Sequence, residues 1–301
     1  MELLEIFGQN ILPIFIVAGI GFLLVRYVGA DVRTLSRVTF YVLSPCLIFE
    51  ILITSNVCAD EFARLTLLAS GTILGIGLIA WLVTRALRLD RVTSTAFIVV
   101  VMFANGGNYG LPLTLFVFGQ EVLARATIYF LVSVVLTYTV GILVASSGRR
   151  SISEALLGIL KIPAIYAASA AIVVILTGIV LPPALMRPIK MLGDAAIPIM
   201  ILVLGMQMER AVRPASLRLV SYAVGLRLIV SAILALTLAQ VLGLGAAARQ
   251  AGVLQSAMPV AVVTTILAIE FEIDPIFVTS VVFLSTILSP LTLTPLISFL
   301  K

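Results

Sequence analysis

The chain has 301 residues, of which 61% are hydrophobic and 11% charged, and its mean hydropathy is +1.24. A soluble domain is about 25% charged and about half apolar, so this chain has too little polar surface to cover a water-soluble globule. Disorder, a coiled coil and nucleic-acid binding are excluded on the same ground, and the net charge of +5 is the ordinary Lys/Arg excess of a membrane protein. There is no His, which excludes a histidine metal site, a His proton relay and a Ser-His-Asp triad. Cys46 and Cys58 are too few for a disulfide scaffold and read as small apolar fillers. No metal-ligand spacing is present, and no cofactor is expected.

A helix needs about 20 mostly apolar residues to cross roughly 30 Å of hydrocarbon. Ten such stretches are predicted in chain order, at 7–27, 35–55, 62–84, 93–118, 122–146, 162–181, 188–208, 215–240, 247–270 and 274–299. Span 1 follows Glu2 and Glu5, where a cleaved leader would carry Lys or Arg, so it is expected to be retained. Turn chemistry and charge separate the spans, at Gly29-Ala30-Asp31, Arg88 to Arg91, Gly119-Gln120-Glu121, Ser146 to Arg150, Pro182-Pro183 and Arg213-Pro214. Span 2 contains Pro45 and Glu50, span 7 Asp194 and Pro198, and span 8 Arg227. Twelve Lys/Arg lie near loops 1–2, 3–4, 5–6 and 7–8, six lie on the other side, and Arg227 is left in mid-span. That bias places the basic loops in the cytoplasm and both termini outside it.

The halves look duplicated. Pro13 and Pro163 open spans 1 and 6, Pro45 and Pro198 sit in spans 2 and 7, and Pro112 and Pro259 sit in spans 4 and 9. Phe130-Leu-Val-Ser-Val-Val-Leu and Phe277-Val-Thr-Ser-Val-Val-Phe open corresponding stretches of spans 5 and 10, whereas spans 3 and 8 show no such match. Five spans per half is odd, so the second half enters from the opposite side, as in the inverted repeats of secondary transporters. The domain reading is a first five-helix repeat over 1–146, a cytoplasmic linker over 147–153 and a second, inverted repeat over 154–301.

Span 4 carries Ala104-Asn105-Gly106-Gly107-Asn108-Tyr109-Gly110-Leu111-Pro112. Three Gly, two Asn and a Pro cannot continue a regular helix. Span 9 has the paired element Gln255-Ser256-Ala257-Met258-Pro259. Unwound backbone at membrane depth is tolerated only where protein or a water-filled cavity surrounds it. Two breaks at corresponding places therefore point to a substrate site built from Asn105, Gly106, Asn108, Gly110, Pro112, Gln255, Ser256 and Pro259. Half-helix N-termini and neutral amides favour an anion or a neutral polar group. Arg227 either draws an organic anion into the site or binds backbone carbonyls and holds span 8 in place. Glu50 and Asp194 offer a proton or cation role, or snorkel to the outer interface.

These residues carry a resemblance to the auxin efflux carrier family, in its bacterial branch. It rests on Pro45-Cys46-Leu47-Ile48-Phe49, on Asn105, Gly110 and Pro112, and on Gln255 through Pro259 with Glu270, Phe271 and Pro275. The resemblance implies an all-α integral membrane fold of ten helices in two inverted five-helix repeats, like sodium/proton antiporters. Helices 4 and 9 would cross near Pro112 and Pro259. Helices 1, 2, 6 and 7 would form a scaffold, helices 3–5 and 8–10 a moving domain, and helices 2 and 7 a homodimer contact. The implied substrates are organic anions, with Asn105, Gln255 and Pro259 at family substrate positions. Plant members pair an acid in helix 3 with a base in helix 8; here span 3 has no acid and span 8 has Arg227.

The leading expectation is an elevator-type carrier of a small carboxylate or auxin-like acid in a bacterial inner membrane, with lipid as its surroundings and no nucleic-acid partner. The alternative is a sodium- or proton-coupled symporter or antiporter on the same fold. A lipid-modifying enzyme lacks any polar catalytic cluster, and a channel fits paired broken helices less well than a carrier.

Overall fold

The computed structural model describes residues 2–146, 158–209 and 216–301. The linker expected at 147–153, with Arg149 and Arg150, lies outside the described residues, as do Arg210 and the Arg213-Pro214 break. Among the described residues the chain is helical, with one isolated antiparallel bridge between Ala104 and Val260.

In chain order the helices are α1 (Leu3–Val28), α2 (Val32–Thr54), α3 (Ala59–Ala86), α4 (Arg91–Met102), α5 (Gly106–Ala145), α6 (Pro163–Thr177), α7 (Pro183–Met208) and α8 (Leu217–Val241). They continue with α9 (Ala246–Ser256), α10 (Val263–Glu270) and α11 (Pro275–Leu300). Seven of them, α1, α2, α3, α5, α7, α8 and α11, are long and apolar enough to cross a membrane.

Their ends follow local chemistry. Gly29, with φ 70°, closes α1, a left-handed position that costs glycine nothing. Asp31 then caps α2 by accepting the N–H groups of Arg33 and Thr34, both at 3.1 Å. Asp90 caps α4 in the same way through Val92 and Thr93. The Thr34 and Thr93 hydroxyls beside these carboxyls, together with the backbone N–H groups, hold both below the usual carboxylate range. Gly119 (φ 75°, ψ −167°) bends α5 into two arms, at the break expected between spans 4 and 5. Span 6 is shorter than expected. Gly178 (φ 65°) stops α6 at Thr177, and Pro183 starts α7 in the first helical turn, where its missing N–H costs nothing.

Two packing groups emerge. In one, α1 lies against α7, and α2 lies against α6 and α7. The α1–α7 seam is main chain on side-chain-free backbone. A Cβ on Gly21 would strike the carbonyl of Leu202, and one on Gly205 the carbonyl of Ala18. Small residues allow this approach where lipid tails supply no hydrophobic drive. In the other group α3 packs on α4, α5 and α8, α9 on α5 and α8, and α11 on α4, α8 and α10. The largest apolar core joins the two groups, with Ile11 and Ile14 of α1 in the same cluster as Tyr109, Leu111, Leu254 and Met258. Large apolar side chains such as Ile16, Leu78, Leu82, Ile233 and Leu291 stay exposed on the outside. That distribution suits contact with lipid rather than water.

Candidate substrate site at two paired breaks

The helix of span 4 stops at Met102, and Phe103 is extended (φ −105°, ψ 115°). It restarts after Asn105 (φ −76°, ψ 63°) with the wide turn Gly106–Gly110. In span 9 the helix stops at Ser256 and resumes at Val263. The two unwound pieces run antiparallel and bond reciprocally. Asn105 N–H donates to the Pro259 carbonyl at 2.7 Å, and Ala261 N–H donates to the Phe103 carbonyl at 2.9 Å. Val260 N–H donates to Ser285 Oγ of α11 at 3.1 Å. The freed backbone groups thus satisfy one another, as burial away from water demands. Phe103, Met258 and Val260 have no exposed surface.

The crossing point differs from the expectation of Pro112. The first segment unwinds at Phe103–Asn105, whereas Pro112 lies in the opening turn of the α-helix that begins at Leu111. A proline there lacks only an N–H that the preceding wide turn already leaves loosely committed. Pro259, by contrast, does sit in the unwound piece.

A cavity of about 380 Å³ opens against this crossing. Its deep wall is Asn105, Gly106, Gly107 and Asn108, the N-terminal turn of the α5 arm, with Ala261, Val262 and Val263 beside it. Its sides are α2, the second arm of α5 and α7, which contribute Ser36, Arg37, Tyr41, Ser133, Tyr138 and Gln207 among others. Arg37 is exposed and Asn105 is buried, so the cavity runs from the surface to the break. No Asp or Glu lines it. The Asn105 amide nitrogen is buried and has no hydrogen-bond partner among the described residues. First-turn N–H groups lack intrahelical acceptors and carry the positive end of the helix dipole. The deep wall therefore offers donors and positive potential, the chemistry of an anion site.

The other expected residues are placed differently. Gln255 is fully buried behind the turn rather than in the cavity lining. A Cβ on Gly106 or Gly110 would lie 2.7 Å or 2.5 Å from its Oε1, so those glycines make room for the amide. Both polar atoms of the Gln255 amide lack partners among the described residues. Ser256 turns its hydroxyl back onto the Val253 carbonyl at 2.7 Å. Pro259 contributes its carbonyl to the crossing, and Gly110 and Pro112 lie outside the lining.

Arg227 is 1% exposed and likewise absent from the lining. Its guanidinium is turned onto backbone carbonyls. Nη1 donates to the carbonyls of Val101 at 2.8 Å and Met102 at 3.1 Å, and Nη2 donates to Ser231 Oγ at 2.5 Å and to the Ser256 carbonyl. Glu50 and Asp194 are not brought to the crossing. Both bond Lys190, at 2.9 Å and 3.4 Å, in an ion cluster that ties α2 to α7. Sequence reasoning does not point to the walls from α2, the second arm of α5 and α7. Arg37 at the foot of span 2 and Gln207 at the end of span 7 were the polar signals that could have found them.

A second recess, of about 630 Å³, lies between Glu61, Glu121, Arg125, Gly245 and Gln250. Arg125 bridges α5 to α3 there through a two-pronged pair with Glu61, at 2.7 Å and 3.1 Å. Ser36 lies near the start of α2, and Glu61 lies in the first turn of α3, just beyond the far end of α2, so the two hollows lie toward opposite ends of that helix. Buried Tyr109, Leu111 and Leu113 lie in the core of the α5 arm that runs on from the crossing.

A family model described as a membrane transport protein matches residues 6–155 and 147–297. An uncharacterized transporter of Methanothermobacter thermautotrophicus is 28% identical over 291 residues, covering 95% of each chain. An uncharacterized transporter of Methanocaldococcus jannaschii is 26% identical over 273 residues, covering 87% of each.

Proposed function

The chain belongs to the membrane transport protein family, the auxin efflux carrier group it resembles in sequence, and from that premise we propose that it is a secondary carrier of a small organic carboxylate. The observation that carries the reading is the deep wall of the cavity. It combines a half-helix N-terminus, an unpartnered buried Asn105 amide and a lining free of Asp and Glu. A carboxylate seated there would accept from Asn105, the Gly107 and Asn108 backbone and the Asn108 side chain, while Phe130, Val134 and Met200 accept its apolar remainder. A volume of about 380 Å³ lies within the range of small-molecule sites, roughly 300–1,000 Å³.

In this reading the protein makes ten crossings as two inverted repeats. Support comes from matched helix ends as well as the prolines. Gly29 and Gly178 close α1 and α6 with φ 70° and 65°. Leu89 N–H reaches the Thr84 carbonyl at the end of α3, and Leu244 N–H reaches the Ala239 carbonyl at the end of α8, the same cap 155 residues later. The α1, α2, α6 and α7 group acts as scaffold, and the rest moves against it to expose the crossing to one hollow or the other. In this reading the Arg37 mouth faces the cytoplasm and the termini lie outside, which the Lys/Arg bias supports, and the inner membrane and a homodimer through α2 and α7 follow from the family resemblance. A sodium- or proton-coupled carrier on the same fold would be served by a carboxylate in the lining, which the cavity does not have.

Reconstituted protein given labelled monocarboxylates, dicarboxylates and indole acids tests the proposal. One class is expected to cross the bilayer and to raise the unfolding temperature in proportion to its binding. Neither flux nor stabilisation with any carboxylate would refute it.

A further inference from the structure

Arg227 presents an unusual coordination. It sits in the wide turn Leu226–Val230 of α8, a distortion that often marks functional positions. Its guanidinium meets the carbonyls of Val101 and Met102, the last two residues of α4, and the carbonyl of Ser256, the last residue of α9. Ser231 Oγ completes the set and itself donates to the Ser256 carbonyl at 2.9 Å. One side chain therefore caps the C-terminal ends of both half-helices where they converge on the crossing.

Those ends carry the negative pole of each helix, equivalent to roughly half an elementary charge, and carbonyls that no helix turn can satisfy. Two such poles side by side in a low-dielectric interior repel each other and need a cation between them. Three carbonyls and a hydroxyl also form an all-oxygen set, and in carriers with broken helices the half-helix C-terminal ends hold the coupling Na⁺ or H⁺. Here the position is taken by a side chain that stays charged. Among the described residues no Asp or Glu pairs with Arg227, so its charge is spent on the two helix ends.

We infer that Arg227 is a built-in cation that fills the coupling-ion position at the crossing, so that the two half-helices are held together, and the carrier operates, without sodium. The inference takes its meaning from the carrier reading but concerns a different face of the crossing from the carboxylate cavity.

Thermal unfolding of the purified protein without substrate, in NaCl and in choline chloride at equal ionic strength, is the test. The wild-type midpoint is expected to be the same in both salts. Arg227→Lys should retain most of the stability, since an ammonium can still meet the carbonyls. Arg227→Met, of similar length and no charge, should unfold several degrees lower, and millimolar guanidinium should restore part of the loss where choline does not. A wild-type midpoint that rises with Na⁺ over choline overturns the inference. So does equal loss in the Lys and Met variants, or an Arg227→Met protein that matches wild type or ignores guanidinium. If Arg227→Met does not fold, the wild-type salt comparison and Arg227→Lys decide. Because no substrate is present, failure here leaves the carboxylate proposal standing, and failure of carboxylate flux leaves this result readable.

Discussion

The main-chain N–H of Asn105 donates to the carbonyl of Pro259 at 2.7 Å, which fixes the residue at the floor of the cavity to the proline that unwinds the other segment. The return bond from Ala261 to Phe103 makes the link reciprocal. The Asn105 side chain is then left over, with its amide nitrogen buried and unpartnered. Asn105→Ala keeps both backbone bonds and removes only the side-chain amide. Expression and thermal stability should stay near wild type while carboxylate flux falls roughly 10–100-fold, the worth of one hydrogen bond to a charged group. Proteoliposome uptake checks this, and unchanged flux at unchanged stability would remove Asn105 from the site.

Gln255 and Gly110 form a packing pair that can be read by a double-mutant cycle. The methyl group of Gly110→Ala would lie 2.5 Å from Gln255 Oε1, and overpacking of this kind costs about 1–3 kcal/mol. Gln255→Ala opens the space. The double variant should therefore be more stable than Gly110→Ala alone, as measured by denaturation in detergent. Additive losses would show that the two residues do not meet.

Gly205 bears the α1–α7 seam, because any Cβ there collides with the Ala18 carbonyl. Main chain cannot yield as a flexible side chain can. Gly205→Val should lower stability by about 2 kcal/mol or more, while Gly19→Val, where a Cβ meets nothing within 4 Å, should be near neutral. The comparison of their unfolding midpoints separates seam packing from a general intolerance of α-helical β-branching.

Lys190 is 61% exposed where it joins Glu50 and Asp194. Exposed pairs contribute at most about 1 kcal/mol. Asp194→Asn should leave carboxylate flux unchanged and cost less than that in stability, and Lys190→Ala should also leave flux unchanged but cost more, because it strands the mostly buried Glu50 carboxylate without its cation. A large loss of flux in either would return the cluster to the transport mechanism.

Much of the arrangement around the breaks was legible in sequence for a physical reason. Gly, Asn and Pro clustered inside an apolar span can be accommodated only by unwinding, and unwound backbone in lipid needs a partner. The paired motif at Gln255–Pro259 supplied it. Local rules could not say which residue of the first motif marks the crossing. Pro112 is the strongest breaker by type, yet the glycines before it absorb its missing N–H, and the chain unwinds at Phe103–Asn105 instead. Nor could they tell the two faces of the crossing apart. Gln255 and Arg227 are polar residues near the breaks, but tertiary packing turns one against Gly106 and Gly110 and the other onto three carbonyls. The cavity walls from Arg37, Tyr138 and Gln207 come from helices distant in sequence, so no spacing announces them. Hydropathy carries span 6 past Gly178, whereas the left-handed backbone there ends the helix at Thr177.

The central claim is that a carboxylate rests on the turn following Asn105. In a Cys46→Ser/Cys58→Ser background, Ser133→Cys places a thiol in a side wall of the cavity without removing a donor from the turn. Labelling by a membrane-impermeant maleimide should proceed from one side of the vesicle and slow severalfold when the transported carboxylate is added. A transported carboxylate that leaves the labelling rate unchanged would contradict the account.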